Sequence, residues 1–219
     1  MSALDDNSAV LNNAQAIDLA AVPTLAPADF ACTITDAVAV GCRVSALFAA
    51  RADAAEACEL FVILADDEHS QLRAARTPVH GYQFPSMTTR CPQVHLFERE
   101  IAEQFGVTPV GHPWLKPVRY RRSWTGRDAW GRPADQPILP GVGDFYRVEG
   151  DQVHEVAVGP VHAGVIEPGH FRFQCHGEQV FHLEIALGYQ HRGVEEALLA
   201  GPGKRAIHYA ETLAGDTTI

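Results

Sequence analysis

The chain has 219 residues, of which 47% are hydrophobic and 20% charged, with a formal net charge of −10. That length holds one good domain, or one domain with a small annex. The acidic balance argues against a nucleic-acid partner, and no apolar run reaches the length of a membrane span. With no Lys or Arg before Arg43 the N-terminus does not read as a secretory signal, so a cytoplasmic location is expected. The five cysteines, Cys32, Cys42, Cys58, Cys91 and Cys175, form no C-x-x-C pair, and are expected to be reduced thiols. Seven of the eleven histidines lie at or after position 154, which points any site toward the C-terminal third.

Residues 1–25 have weak periodicity and read as a loose arm. A short helix is expected from Ala26 to about Gly41, with Phe30, Ile34 and Val38 on one face. Arg43 to Ala50 reads as a strand. Cys58 to Ala65 is a short continuous apolar run, the pattern of a buried central strand, and Gln71 to Thr77 is expected to return as its antiparallel neighbour. The clearest helix follows Pro92. Val94, Phe97, Ile101 and Phe105 make an apolar stripe, and Glu98, Arg99, Glu100 and Glu103 line the other side, where Glu98 and Glu100 can cap or pair with neighbouring basic groups or the four can form a solvated face with an Arg99–Glu103 pair. Gly106 fits the left-handed stop position. Burial of the stripe would contribute roughly 5–10 kcal/mol before entropy, at about 1.5–3 kcal/mol per large side chain.

From 111 to 145 the chain is rich in Pro, Gly, Arg and Trp and has no periodicity. Lys116, Arg119, Arg121, Arg122, Arg127 and Arg132 stand against one acid, Asp128, within residues 116–132, a local charge of +5. Trp114, Trp124 and Trp130 sit in or beside this band. So long a stretch without periodicity reads as a strap lying on a partner or bridging two domains, and Arg and aromatic enrichment marks interfaces. The last domain, 146–219, opens with two alternating runs, Phe171 to Cys175 and Val180 to Ile185. Phe171, Phe173 and Cys175 point one way and His170, Arg172, Gln174 and His176 the other, with a hairpin turn at Gly177-Glu178. Helical pieces are expected from Gly193 to Leu199 and from Lys204 to Leu213. The core of this domain is thin, and the apolar face of Phe171, Phe173, Phe181 and Leu183 requires a partner.

Two motifs carry a resemblance. HLFEREIAEQFGVTPVGHPWL, residues 95–115, resembles the signature of the C-subunit family of complex I, with Glu98-Arg99-Glu100, then Phe105-Gly106, then Gly111-His112-Pro113. The tail from Val158 to Thr217 resembles the opening of the large subunit of membrane-associated nickel–iron hydrogenases, and of the quinone-site subunit of complex I. In this order the motifs are those of the fused large subunits of formate-hydrogenlyase-type complexes. The resemblance implies an α+β fold: a C-subunit-like mixed sheet with helices over 26–110, the strap at 111–145, and a partial hydrogenase-large-subunit-like hairpin and helix domain over 146–219.

The resemblance also implies a function. The chain is expected to be a subunit of a membrane-associated electron-transfer complex of the NADH:quinone oxidoreductase or hydrogenase-related type, inactive alone. It would dock the peripheral arm and contribute to a quinone or proton site. Its partners would include an iron–sulfur subunit and membrane subunits, with the chain cytoplasmic, peripheral to the inner membrane, and touching the membrane only through partners. Glu98, Arg99, Glu100, His112, Trp114, Trp124 and Trp130 are the interface candidates.

Glu167 matches the glutamate that hydrogenases use to move protons, and His162 in G-P-V-H-A-G matches a histidine beside the quinone headgroup in complex I. An imidazole there can exchange a proton with a quinone oxygen. His191 and Arg192 match the H-R-G turn and are further quinone-site candidates. On residues alone, Glu167 reads more readily as the end of a loop before Pro168-Gly169; the resemblance brings the proton-transfer reading level with it. His191 and Glu195 have a metal-compatible spacing but lack an evident third ligand.

The hydrogenase pattern E-R-x-C-G-x-C reads here Glu211-Thr212-Leu213-Ala214-Gly215-Asp216-Thr217, with Ala214 and Thr217 at the cysteine positions. A methyl and a hydroxyl cannot replace the soft thiolates that hold nickel and iron, and the second cysteine pair is expected beyond Ile219. No metal, nicotinamide, flavin or iron–sulfur group is therefore expected on this chain alone; quinone is possible at a subunit boundary, with iron–sulfur clusters on partners. Two other readings stand: a truncated nickel–iron hydrogenase large subunit of formate-hydrogenlyase type, and a non-catalytic assembly or interaction module.

Overall fold

The computed structural model describes residues 7–51, 58–139, 145–199 and 203–213. The chain divides into two compact units, Met1–Pro140 and Gly141–Ile219. The fold class is α+β, as expected from the sequence: antiparallel sheets with a few packed helices.

The first unit is built on a four-stranded antiparallel sheet in the order β1-β4-β3-β2, comprising β1 (Ala9–Asn12), β2 (Arg43–Arg51), β3 (Cys58–Asp66) and β4 (Gln71–Val79). Strand β3 is central because its run is apolar on both faces. Cross-strand rows such as Leu47–Val62–Ala75 point toward helix α1 (Pro27–Ala39) and form one core with its Phe30, Ile34 and Ala37. Leu11, Val22 and Ala74 form a smaller cluster, with Ile63 and Leu72 packed against it. The described part of the arm is therefore ordered. Residues 9–12 add an edge strand and Thr24 bridges to Arg76, because Leu11 and Val22 find apolar cover that their polar neighbours hid from a periodicity reading.

Helix α2 (His95–Phe105) lies against β2 and adds Ile101 to the core beside Val94 of the turn before it, with Phe97 and Phe105 packed at its edge. Gly106 ends it with φ +64°, the left-handed position foreseen for it. Two short strands that the sequence did not announce, β5 (Gln83–Pro85) and β6 (Thr108–Val110), pair in parallel beside it.

In the second unit, β7 (Val153–Val158), β8 (His170–His176) and β9 (Gln179–Ala186) form an antiparallel sheet in that order. The hairpin turns at Gly177-Glu178 as expected, and Phe181 is the extra residue of a bulge in β9. Two short helices follow, α3 (Val194–Leu199) and α4 (Ala206–Glu211). The patterned faces have unequal fates. Gln174 and Glu184 are buried, with Glu184 accepting from the Tyr146 amide, while Val156, Val158, Val180, Phe181, Leu183 and Ile185 stay exposed. Ala214 and Thr217, which carry the argument against a nickel–iron centre, lie outside the described residues.

Candidate functional site: a carboxylate-fastened strap and a two-loop sheet end

The polar side of α2 is not a solvated face, which decides between the two readings of its charge. Glu98 and Glu103 are 0% and 1% exposed, and Arg99 is also buried. Each side chain is matched to groups that lack a partner in regular structure.

Glu98 accepts three hydrogen bonds from the turn after β5: from Ser86 Oγ at 2.5 Å, the Met87 amide at 2.6 Å and Thr88 Oγ1 at 2.6 Å. Glu103 accepts from the amides of Val118 at 3.0 Å, Arg119 at 2.7 Å and Arg121 at 3.0 Å. Arg99 donates to the carbonyls of Lys116 at 2.7 Å and Pro117 at 2.8 Å. Strap donors also satisfy the carbonyls that α2 leaves open at its C-terminus: Ser123 Oγ and the Trp124 amide bond Gln104 O, and Thr125 Oγ1 bonds Phe105 O.

The described part of the strap therefore lies on its own unit, bonded to α2. It has no periodicity because its backbone is paired with side chains and helix ends instead of with itself. Gly106 makes the closest seam, since a Cβ there would stand 2.5 Å from Arg127 Cβ. Two members of the basic band, Arg119 and Arg127, join this fastening, and others brace the strap internally. Arg119 pairs with Glu100 at 2.6 Å, Arg132 with Asp128 at 2.7 Å, Arg127 stacks on Tyr82, and Lys116 lies over the Trp114 ring. Arg122 bonds the carbonyls of Pro133 and Gln136. Trp130 donates its indole N–H to Leu115 O, whereas the Trp124 ring is 58% exposed.

His112 begins the strap. Its side chain is fully buried, 4.0 Å from Glu98 and stacked on His95 at 5.2 Å. Burial holds both imidazoles below their ordinary pKa, and the Arg99 cation pushes both the same way, opposed at His112 by its bond to the His95 carbonyl and by Glu98.

The other candidates lie in the second unit. His170 opposes Ala186 in the β8–β9 register, so the 159–169 loop entering β8 and the 187–193 loop leaving β9 emerge at the same end of the sheet. The first loop carries His162 and Glu167, the second His191 and Arg192. His162 Nε2 lies 2.7 Å from Gly169 O, with the ring edge-on to Phe171. A carbonyl only accepts, so Nε2 carries the proton and the neutral ring presents Nδ1 as an acceptor. Gly159 makes this closure possible, since a Cβ there would meet Gly169 O at 2.1 Å and His162 Nε2 at 2.5 Å. Glu167 is exposed between Ile166 and Pro168. His191 Nδ1 accepts from the Gly193 amide, and Arg192 donates to Thr212 O at 3.0 Å.

Sequence reasoning missed the fastening by Glu98 and Glu103. A signal existed for Glu98: it stands four residues after Val94 and three before Ile101, in phase with the buried stripe.

The first unit is thus an antiparallel sheet covered by two helices, whose buried charges hold a long irregular strap. Residues 25–133 match the family described as respiratory-chain NADH dehydrogenase, 30 Kd subunit, so this part of the chain is similar to the complex I 30 kDa-type subunit. Hydrogenase-4 component G of Escherichia coli (strain K12) is 33% identical over 126 residues, covering 52% of this chain and 22% of that protein. Formate hydrogenlyase subunit 5 of the same strain is 32% identical over 124 residues, again 52% of this chain and 22% of that protein. The C/D subunit of NADH-quinone oxidoreductase from Bacteroides thetaiotaomicron is 23% identical over 169 residues, 67% of this chain and 31% of that protein. The matches thus span about a fifth to a third of the length of these relatives.

Proposed function

We propose that the chain is a subunit of a membrane-associated electron-transfer complex of the NADH:quinone oxidoreductase or hydrogenase-related type, in which its first unit docks and its second contributes to a quinone or proton site. The observation that carries this reading is the 30 kDa-subunit match over residues 25–133, together with relatives that are subunits or components of those complexes. The buried charges of the first unit support docking over catalysis, because they are consumed in holding the strap. The second unit is read as a partial large-subunit-like domain fused to the first. Its exposed apolar sheet face supports this, since such a face calls for cover by further polypeptide.

Quinone would sit at a subunit boundary near the two loops at one end of that sheet, with the iron–sulfur clusters on partner subunits and the membrane reached only through them. His162 would act through Nδ1. In its neutral form that atom takes a proton from a quinol hydroxyl, and only as imidazolium does it donate to a quinone oxygen. Glu167, exposed on the same loop, would relay the proton, and His191 and Arg192 would border the site.

The test is electron transfer by the assembled complex carrying His162→Ala or Glu167→Gln. Loss of general acid–base help lowers turnover by about 10²–10⁴-fold while the complex keeps all its subunits. Unaltered turnover in both variants would instead favour a non-catalytic assembly module, the reading that the strap's exposed Trp124 supports.

A further inference from the structure

We propose that His112, buried between α2 and the first turn of the strap, is an acid-sensitive latch: neutral, it holds the strap on the helix, and protonated, it lets go. The geometry fixes which nitrogen is which. The Trp114 amide donates to His112 Nδ1 at 3.0 Å, so Nδ1 must carry a lone pair. Nε2 then bears the single proton and faces His95 O at 3.3 Å.

A second proton can go only onto Nδ1. There it meets the Trp114 N–H, donor against donor, and that bond is lost. The new cation would lie in a fully buried site among groups supplied by every neighbouring element. From α2 come His95, stacked on it, Arg99, and Glu98, whose oxygens already accept from Ser86, Met87 and Thr88. Cys91 stands near Glu98, and Lys116 approaches His95 from the strap. The His95 carbonyl and Glu98 favour the charge; burial and Arg99 oppose it.

The direction of the effect follows. Burial, with Arg99 adding to it, holds His112 and His95 below the ordinary value of 6.5, against the pull of Glu98 and the His95 carbonyl on His112. Below that pH the opened strap binds protons that the closed one refuses, so opening gains as pH falls and the latch is fully closed above it. Each proton taken up on opening raises the opening equilibrium by about tenfold per pH unit. With both imidazoles contributing, the limit is about a hundredfold per unit.

The experiment is amide hydrogen exchange on the full chain between pH 7.5 and 5, corrected for intrinsic exchange rates, reading the amides of 114–119. Protection at these amides falls steeply below about pH 6.5, while amides of β3 keep theirs. His112→Asn is the matched variant: its side-chain oxygen accepts the Trp114 amide but does not titrate, so the slope drops by about tenfold per pH unit. A flat wild-type profile, or a variant slope equal to wild type, overturns the latch. Should the variant fail to fold, the imidazole resonances of wild-type His112 decide. Titration at or above 6.5 without a shift of the Trp114 amide overturns the proposal; a lower midpoint shared with that amide supports it.

Discussion

Replacing Glu103 by Gln puts the strap's attachment to the most direct stability test. Glu103 is 1% exposed and one carboxylate serves three backbone amides: Oε2 takes those of Val118 and Arg119, Oε1 that of Arg121. Glutamine keeps one oxygen but turns the other acceptor into an NH2 group. If the oxygen stays on Val118 and Arg119, the Arg121 amide faces a donor. A hydrogen bond to a charged group is worth about 1.5–3 kcal/mol, and an unsatisfied buried donor costs about 1–3 kcal/mol. Glu103→Gln is therefore expected to weaken strap closure by about 2–4 kcal/mol. Glu103→Ala goes further, limited by the point at which the strap detaches and its amides meet water. Amide exchange at 118, 119 and 121 reports closure directly, and urea denaturation gives the whole-unit cost. A Glu103→Gln protein within about 0.5 kcal/mol of wild type, the range of ordinary surface substitutions, with these amides still protected, would refute the carboxylate's role.

Other outcomes follow from the same geometry. Gly106→Ala places a Cβ at φ +64° and against Arg127; the backbone alone costs about 1–2 kcal/mol, and exchange at residues 123–127 should rise with it, while a variant as stable as wild type would contradict the tight seam. Cys58, buried, has its thiol pushed up to about 11 by burial first and then by Glu59, and burial likewise raises Cys42 and Cys91. Exposed Cys32 should then be alkylated first by iodoacetamide at pH 8, and equally fast labelling of Cys58 in the native protein would count against its burial. Leu183→Asp, on an exposed strand position, should change the stability of the isolated chain by less than about 0.5 kcal/mol but weaken capture of partner subunits; a large loss of stability without partners would mean that this face is already covered.

Much of the first unit was legible because its elements follow one periodicity each. The apolar run of β3, the four-residue spacing in α1 and the stripe of α2 with its glycine stop each name an element and a buried face. The sheet hairpin in the second unit was legible from alternation and Gly177-Glu178. Strand β1 was not, because four residues with alternating burial in a polar arm give too short a signal. The strap was not, because its partners are carboxylates, hydroxyls and helix-end carbonyls scattered along 98–105, a pairing with no period. Charge also left two readings open: Glu98, Arg99 and Glu103 carry the composition of a wet face, yet each is buried on groups of complementary polarity. At the proposed quinone end, the loop motif named His162, but the bond to Gly169 was needed to tell which nitrogen is available.

Membership of an electron-transfer assembly is tested most directly by tagging the protein in its native cell, releasing it gently from membranes and identifying by mass spectrometry what comes with it. An iron–sulfur subunit, membrane subunits, and polypeptide that covers the apolar face of β7, β8 and β9 are expected to come with it. Recovery of the protein alone, without any redox subunit, would contradict that membership and with it the roles given to His162 and Glu167.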